Sequence, residues 1–326
     1  MAPLKVNRMQ PALNCRRMRI ALPSLVLAAL LAPGVAGAQT TPWGDPDLQG
    51  VWSNQTPVPL ERPAALANKP YFTEAEAADV EKSALASTLK SVAAEVATSG
   101  EFNEVWLESG KGKVNRSRRT SLIADPADGK IPFTAEGRAR WEATPHLTTE
   151  RITGKRLAAD KPEDRALQER CITSDNMFVP SVFYNNYHQI VQAPGYVVIL
   201  SESMHDARIV PLDRRPRLGV NIQQWLGDSR GWWEGRTLVV ETTNFNDERR
   251  FQGSTKDVRL VERFTRTDAD TISYRLTVTD PKTYSQPWTL ENTLWKSDER
   301  MFEAACHEGN YGLASILAGG RATEKR

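Results

Sequence analysis

Residues 187–212, YHQIVQAPGYVVILSESMHDARIVPL, decide the fold. Tyr187 to Gln192 and Tyr196 to Ser201 are β-branched and aromatic runs of strand length, and Ala193-Pro194-Gly195 between them is turn chemistry. Asp206 to Leu212 is a third run of the same texture. The connections are too short for crossover helices, so these runs predict antiparallel neighbours. Thr237 to Asn244, Val258 to Thr265, Thr271 to Thr279, Trp288 to Leu294 and Met301 to Cys306 extend the pattern. Glu234-Gly235, Asp268-Ala269-Asp270, Asp280-Pro281 and Ser297-Asp298 separate them. Eight short strands in succession predict a mainly β fold, an antiparallel meander that removes its exposed edges by closing into a barrel or a two-layer clam.

The flanking sequence is read outward from this meander. Leu48 to Asn54 is a short strand expected to return to the sheet. Between it and Arg170 the chain is irregular and partly helical, and is expected to wrap the barrel or cover its mouth. Thr73 and Glu76 fit a capping box. Leu85, Leu89, Val92 and Val96 then fall on one helical stripe. Ser121 to Ile123 suggests a further strand, and Thr134 to Ala143 and Pro162 to Arg170 suggest short helices. Tyr311 to Leu317 is expected to be a closing helix. The organisation is therefore a leader at residues 1–38, a first strand plus wrapping segment at 39–170, a barrel at 171–318 and a loose tail at 319–326.

The leader resembles an export signal. Lys5, Arg8, Arg16, Arg17 and Arg19 precede an apolar run from Ile20 to Leu31, and Ala36-Gly37-Ala38 suits a cleavage site before Gln39. The run is too short to span a bilayer. A retained anchor is the alternative, and Arg16-Arg17 leaves twin-arginine export open beside ordinary secretion. Five of the 42 Lys and Arg and none of the 40 Asp and Glu lie in the leader, so the rest of the chain is slightly acidic. That balance gives no electrostatic case for nucleic acid or for anionic membrane surfaces. Cys15 leaves with the signal. Cys171 and Cys306 remain, most simply as a disulfide in an oxidising compartment. The alternative is a Cys306 nucleophile activated by His307.

Several segments carry a resemblance. They include Tyr184-Asn185-Asn186, His205-Asp206-Ala207-Arg208, Gly227-Asp228-Ser229-Arg230-Gly231, Trp233-Glu234-Gly235, Thr242-Thr243-Asn244-Phe245 and Ala305-Cys306-His307-Glu308-Gly309-Asn310. They are similar to a family of secreted bacterial proteins that is not tied to a defined activity. The resemblance covers about Trp43 to Arg321 and implies export, but no mechanism. Gly50-Val51-Trp52 is also similar to the Gly-x-Trp in the first strand of lipocalin-like barrels.

Chemistry is sought first where acids adjoin the scarce histidines, of which there are four. Glu202, His205, Asp206 and Arg208 bracket one turn, and an imidazole beside a carboxylate suits a general base. The plainer reading is a turn with a surface ion pair. His307 and Glu308 end the last expected strand; the plainer reading there is a strand end tied down by hydrogen bonds. Glu262 alternates with Leu260 and Phe264 on one face of a strand, so it is either paired to an arginine or a site acid with a raised pKa. Arg208, Arg230, Arg250 and Arg263 are candidates for that pairing or for holding an anionic or polyhydroxylated ligand. Tyr184 and Asn186, with Trp233 and Trp288, are candidate ligand contacts. His188 reads as a satisfied, partly buried histidine.

The expectation is an exported enzyme with a lipocalin-like barrel, doing lyase, isomerase or hydratase chemistry on a small, partly apolar, aromatic or polyhydroxylated molecule. His205 is the expected base, oriented by Asp206 or Glu202. His307 or Glu308 is the expected acid, and Arg208 or Arg263 steadies developing negative charge. A small-molecule binding protein of the same shape is the first alternative. A metal-assisted hydrolase is another, through His205, His307 and a carboxylate, but no metal-ligand spacing supports it. No phosphate loop, dinucleotide fingerprint, haem or flavin signature is present, so no cofactor is implied.

Overall fold

The computed structural model describes residues 40–99, 111–144, 157–174, 177–180, 185–248 and 251–324. The leader, Tyr184 and Arg250 lie outside the described residues. Ten strands form one antiparallel sheet: β1 Gly50–Ser53, β2 Ile123–Asp125, β3 Tyr187–Ala193, β4 Tyr196–Ser201, β5 Ala207–Pro211, β6 Asp228–Glu234, β7 Thr237–Thr243, β8 Arg259–Arg266, β9 Thr271–Thr279 and β10 Trp288–Ser297. Their order is β5-β4-β3-β1-β10-β9-β8-β7-β6, and β2 pairs with β10 beside this path. The sheet is thus two meanders, β3 to β5 and β6 to β10, joined by the strand nearest the N-terminus. Val51 faces Gln189 on one side and Ser297 on the other.

Period-two alternation sets the inside. Ile272, Tyr274, Leu276 and Val278 of β9 are buried, as are Leu260, Glu262 and Phe264 of β8. Trp52, Ile190, Ile199, Val210, Leu290 and Leu294 fill the same interior. Outside, Arg275 of β9 meets Glu291 of β10. No ladder joins the two ends of the path, so hydrogen bonds do not close the sheet into a barrel. The end strands still approach through side chains. A Cβ on Gly231 of β6 would lie 2.7 Å from methyl carbons of both Val210 and Leu212, so a side chain there must displace them.

Among the described residues, three α-helices accompany the sheet: α1 Glu74–Ser99, α2 Ala135–Ala143 and α3 Tyr311–Glu324. The Thr73–Glu76 capping box forms, with the Thr73 N–H donating to Glu76 Oε2 at 2.8 Å and the Glu76 N–H donating to Thr73 Oγ1 at 3.3 Å. The apolar stripe behaves differently from expectation: Leu85, Leu89 and Val96 are exposed. The early turns of α1 dock instead, through Ala77 and Val80 against the core and through Glu81, which accepts the Val114 N–H at 2.7 Å.

Two further expectations are corrected. Pro162–Asp164 is a single 3-10 turn, stopped because Arg165 is extended (φ −104°, ψ 153°). Met301 to Cys306 is coil. Both edges of β10 are already occupied, by β9 on one side and by β1 and β2 on the other, so this stretch finds no partner there. It is held by the Cys171–Cys306 disulfide, with Cα atoms 5.6 Å apart. The expected tail from 319 is instead the second half of α3. No helix among the described residues is long and apolar enough to cross a membrane.

Candidate functional site

A polar cluster lies inside the sheet, where inward positions of five strands carry hydrogen-bonding side chains. Arg208 of β5 reaches Glu262 of β8 as a two-pronged pair, Nη1 to Oε2 at 2.5 Å and Nη2 to Oε1 at 2.9 Å. Both side chains are buried, so the pair spans the interior between the two meanders in a water-poor setting. Tyr274 of β9 donates its hydroxyl to Glu262 Oε1 at 3.0 Å, and the Met177 carbonyl lies within 3.1 Å as a second acceptor. Burial, then the charge of Glu262, raises the Tyr274 pKa well above its usual value and keeps the phenol protonated. Burial works against the Arg208 charge, but Glu262 outweighs it and raises the arginine pKa.

His188 of β3 completes the cluster. It is opposite Ser201 of β4, and its Nδ1 is 3.0 Å from Ser201 Oγ. Burial, reinforced by the nearby Arg208 charge, lowers its pKa to about 3, so the ring is neutral at neutral pH. Its Nε2 is buried with no hydrogen-bond partner among the described residues. A buried polar atom left this way costs about 1–3 kcal/mol. The Phe178 ring covers the imidazole at 4.1 Å between centroids, and also touches Phe264 and Tyr274. Phe178 takes a left-handed backbone (φ 47°), unusual for an aromatic residue. Asn292 Nδ2 donates to its carbonyl at 3.3 Å and to that of Asn54 at 2.9 Å.

The acid-flanked histidines are elsewhere. Met204 and His205 are both left-handed (φ 58° and 53°), which turns the β4–β5 connection and leaves the His205 ring exposed. Its Nε2 is 3.8 Å from Glu303 Oε1, not against Asp206. Asp206 instead accepts from the Thr173 hydroxyl at 2.7 Å and the Ser174 N–H at 3.3 Å, fastening the segment after Cys171. His307 and Glu308 are exposed in the loop beyond Cys306. The two imidazoles expected to share an interior therefore both face outward. Among the described residues, no three of His, Cys, Asp and Glu gather closely enough to hold a metal.

The other candidates divide between interior and scaffold. Glu202 is buried; its Oε1 accepts the Phe302 N–H at 2.8 Å and its Oε2 has no partner among the described residues. Burial raises its pKa against the lowering effect of backbone hydrogen bonds from Phe302 and Tyr187. Arg230 pairs with Asp228 and donates to the Pro216 carbonyl at 2.8 Å, pinning the loop before β6. Arg263 pairs with Glu234 on the outer face. Trp288 packs in the core between Phe251 and Tyr284, and half-buried Trp233 packs against that core. Asn186 is buried and its carbonyl accepts the Asn54 N–H at 3.1 Å.

Of the expected residues, then, Arg208 and Glu262 meet in one buried cluster. Ser201, Tyr274 and Phe178 are members that sequence reasoning missed, and His188, expected to be satisfied and only partly buried, is fully buried with Nε2 unpartnered among the described residues. Strict alternation was the available signal for His188 and Ser201, which share faces with Ile190 and Ile199. No protein-family model matches this chain, and no curated protein matches it.

Proposed function

We propose that this chain is an exported, lipocalin-like protein that binds a small, partly apolar molecule against the inner face of its curved sheet. The leader and the Cys171–Cys306 disulfide support export, since such bonds persist in oxidising compartments. The approach of β5 to β6 at Gly231 supports a barrel-like enclosure of the interior. One observation carries the binding reading: His188 Nε2 is fully buried and without a hydrogen-bond partner among the described residues, and the Phe178 ring lies 4.1 Å from the imidazole. A small aromatic molecule with one hydroxyl or carboxylate fits both features. Its ring replaces that of Phe178, and its polar group meets His188 Nε2 or the Arg208–Glu262–Tyr274 cluster. The left-handed backbone at Phe178 stores on the order of 1 kcal/mol, which lowers the cost of that exchange.

The acid–base catalyst is the weaker reading. Its two expected imidazoles are exposed, and an interior histidine with a pKa of about 3 is a poor base at neutral pH. The test is titration with phenol, catechol and 4-hydroxybenzoate, followed by the His188 imidazole resonances in NMR. Saturable shifts are expected in the wild type and should vanish in His188→Phe. No saturable shift up to about 1 mM, an affinity of roughly −4 kcal/mol, would refute the reading.

A further inference from the structure

Asn54 follows the last residue of β1 on the inward side of the sheet. Trp52, two residues earlier, is buried in the core, and Asn54 is itself wholly buried. Its backbone is fully used. The N–H donates to the Asn186 carbonyl at 3.1 Å, and the carbonyl accepts from Asn292 Nδ2 at 2.9 Å. Its side chain is not used at all. Neither Nδ2 nor Oδ1 has a hydrogen-bond partner among the described residues. A side-chain amide carries two donor hydrogens and an acceptor oxygen, so a buried one with both ends idle is a larger debt than a single idle ring nitrogen.

Register places this amide beside the interior histidine. Trp52 is directly opposite His188 in the β1–β3 ladder. Asn54 is one inward position further along, which makes it a diagonal neighbour of His188 on the same face. Phe178 is shared between them. Its ring covers the imidazole, and its carbonyl accepts from the same Asn292 Nδ2 that binds the Asn54 carbonyl. An occupant that replaces the Phe178 ring over His188 therefore extends towards Asn54. The amide narrows what that occupant carries. Its hydrogens need an acceptor, and its oxygen needs a donor on the neighbouring atom. A carboxylate brings acceptors only, and a lone hydroxyl reaches one end of the amide. A carboxamide or a ring lactam brings a C=O and an N–H side by side and answers both ends.

We infer that Asn54 sets the ligand class of the interior site, which takes an aromatic carboxamide or lactam whose C(=O)–NH edge pairs with the Asn54 side chain. This rests on the interior binding reading. The probe is 4-hydroxybenzamide, compared with phenol, 4-hydroxybenzoate and N,N-dimethyl-4-hydroxybenzamide. Each is titrated into the full chain and followed by NMR of the Asn54 side-chain amide and the His188 imidazole. The expected result is that 4-hydroxybenzamide binds roughly tenfold or more tighter than the other three and alone moves the Asn54 NH₂ signals strongly. In Asn54→Leu the phenol affinity should hold and the advantage of the amide should vanish. Equal binding of 4-hydroxybenzamide and phenol, Asn54 signals that stay still, or an advantage that survives in Asn54→Leu would overturn the role of Asn54 and leave the interior site standing. Failure of all four probes to bind would overturn the interior reading and this inference together. The Asn54 signals are read in the wild type, so the answer does not depend on how the variant folds.

Discussion

Replacing Glu262 by glutamine keeps the volume at the centre of the interior and removes one charge. Among the described residues, the side-chain hydrogen bonds of buried Arg208 go to Glu262. In Glu262→Gln the guanidinium stays charged, with one amide oxygen in place of a carboxylate. Breaking a buried pair from one side costs about 3–5 kcal/mol, and the retained amide contact puts the expected loss near the lower end. Arg208→Met with Glu262→Leu removes both charges. The Tyr274 hydroxyl is not orphaned in that variant, because the Met177 carbonyl lies 3.1 Å away. The double variant is therefore expected within about 2 kcal/mol of wild type, or more stable. Urea unfolding at pH 7, read by near-ultraviolet circular dichroism, measures both. A single variant within about 1 kcal/mol of wild type would refute the reasoning, since only a hydrated pair is worth so little. A double variant as unstable as the single one would refute it from the other side, by making the pair indispensable to the fold. A double variant that folds well but no longer binds the phenolic probes assigns the pair to recognition.

Other outcomes follow from the same geometry. The folded-state pKa of His188, about 3, lies below its unfolded value near 6.5, so stability should fall as pH drops below 6.5 and continue to fall towards 3. At pH 5 this amounts to about 2 kcal/mol, and the difference between wild type and His188→Phe in urea titrations at pH 7 and pH 5 should recover it. Glu202 has the opposite sign. Its raised pKa favours folding below the unfolded carboxylate value and disfavours it above, so Glu202→Gln should raise the melting temperature at pH 7 and lose that advantage near pH 4. Reducing Cys171–Cys306, which closes a loop of 135 residues, should cost about 5 kcal/mol in the chain-entropy model, measurable as a drop in melting temperature with reductant. Gly231→Val should cost about 1–3 kcal/mol, since its side chain enters the space of Val210 and Leu212.

Seven of the eight strands expected from residue 187 onward formed because their signals are local, whereas Asp228–Glu234, outside that set, is β6. β4 and β9 begin and end where the β-branched runs and turn residues place them, at Tyr196–Ser201 and Thr271–Thr279. What occupies which edge is not a local property. Nothing near Gly50 reveals that β1 will separate β3 from β10, and that insertion helps to deny Met301 to Cys306 a ladder despite its strand-like composition. The candidate site divides along the same line. Alternation placed Glu262 with Leu260 and Phe264, and the arginine that answers it was among the candidates. Weight given to acid-flanked histidines led to His205, whose direction depends on two left-handed residues that no periodicity encodes.

Phe178 lies furthest from what a pattern can reveal. It belongs to no strand or helix, yet its ring closes over His188, Phe264 and Tyr274 from a backbone conformation aromatics rarely adopt. A side chain held in strain over an unpartnered buried nitrogen has two physical accounts. Either the ring completes the core and the nitrogen is a tolerated defect, or both belong to a place shaped for an exchangeable occupant. The accounts differ in what His188→Phe does. As a defect, the nitrogen's removal should stabilise the fold by about 1–3 kcal/mol and change nothing else. As part of a binding place, the same stabilisation should come with loss of the phenolic probes.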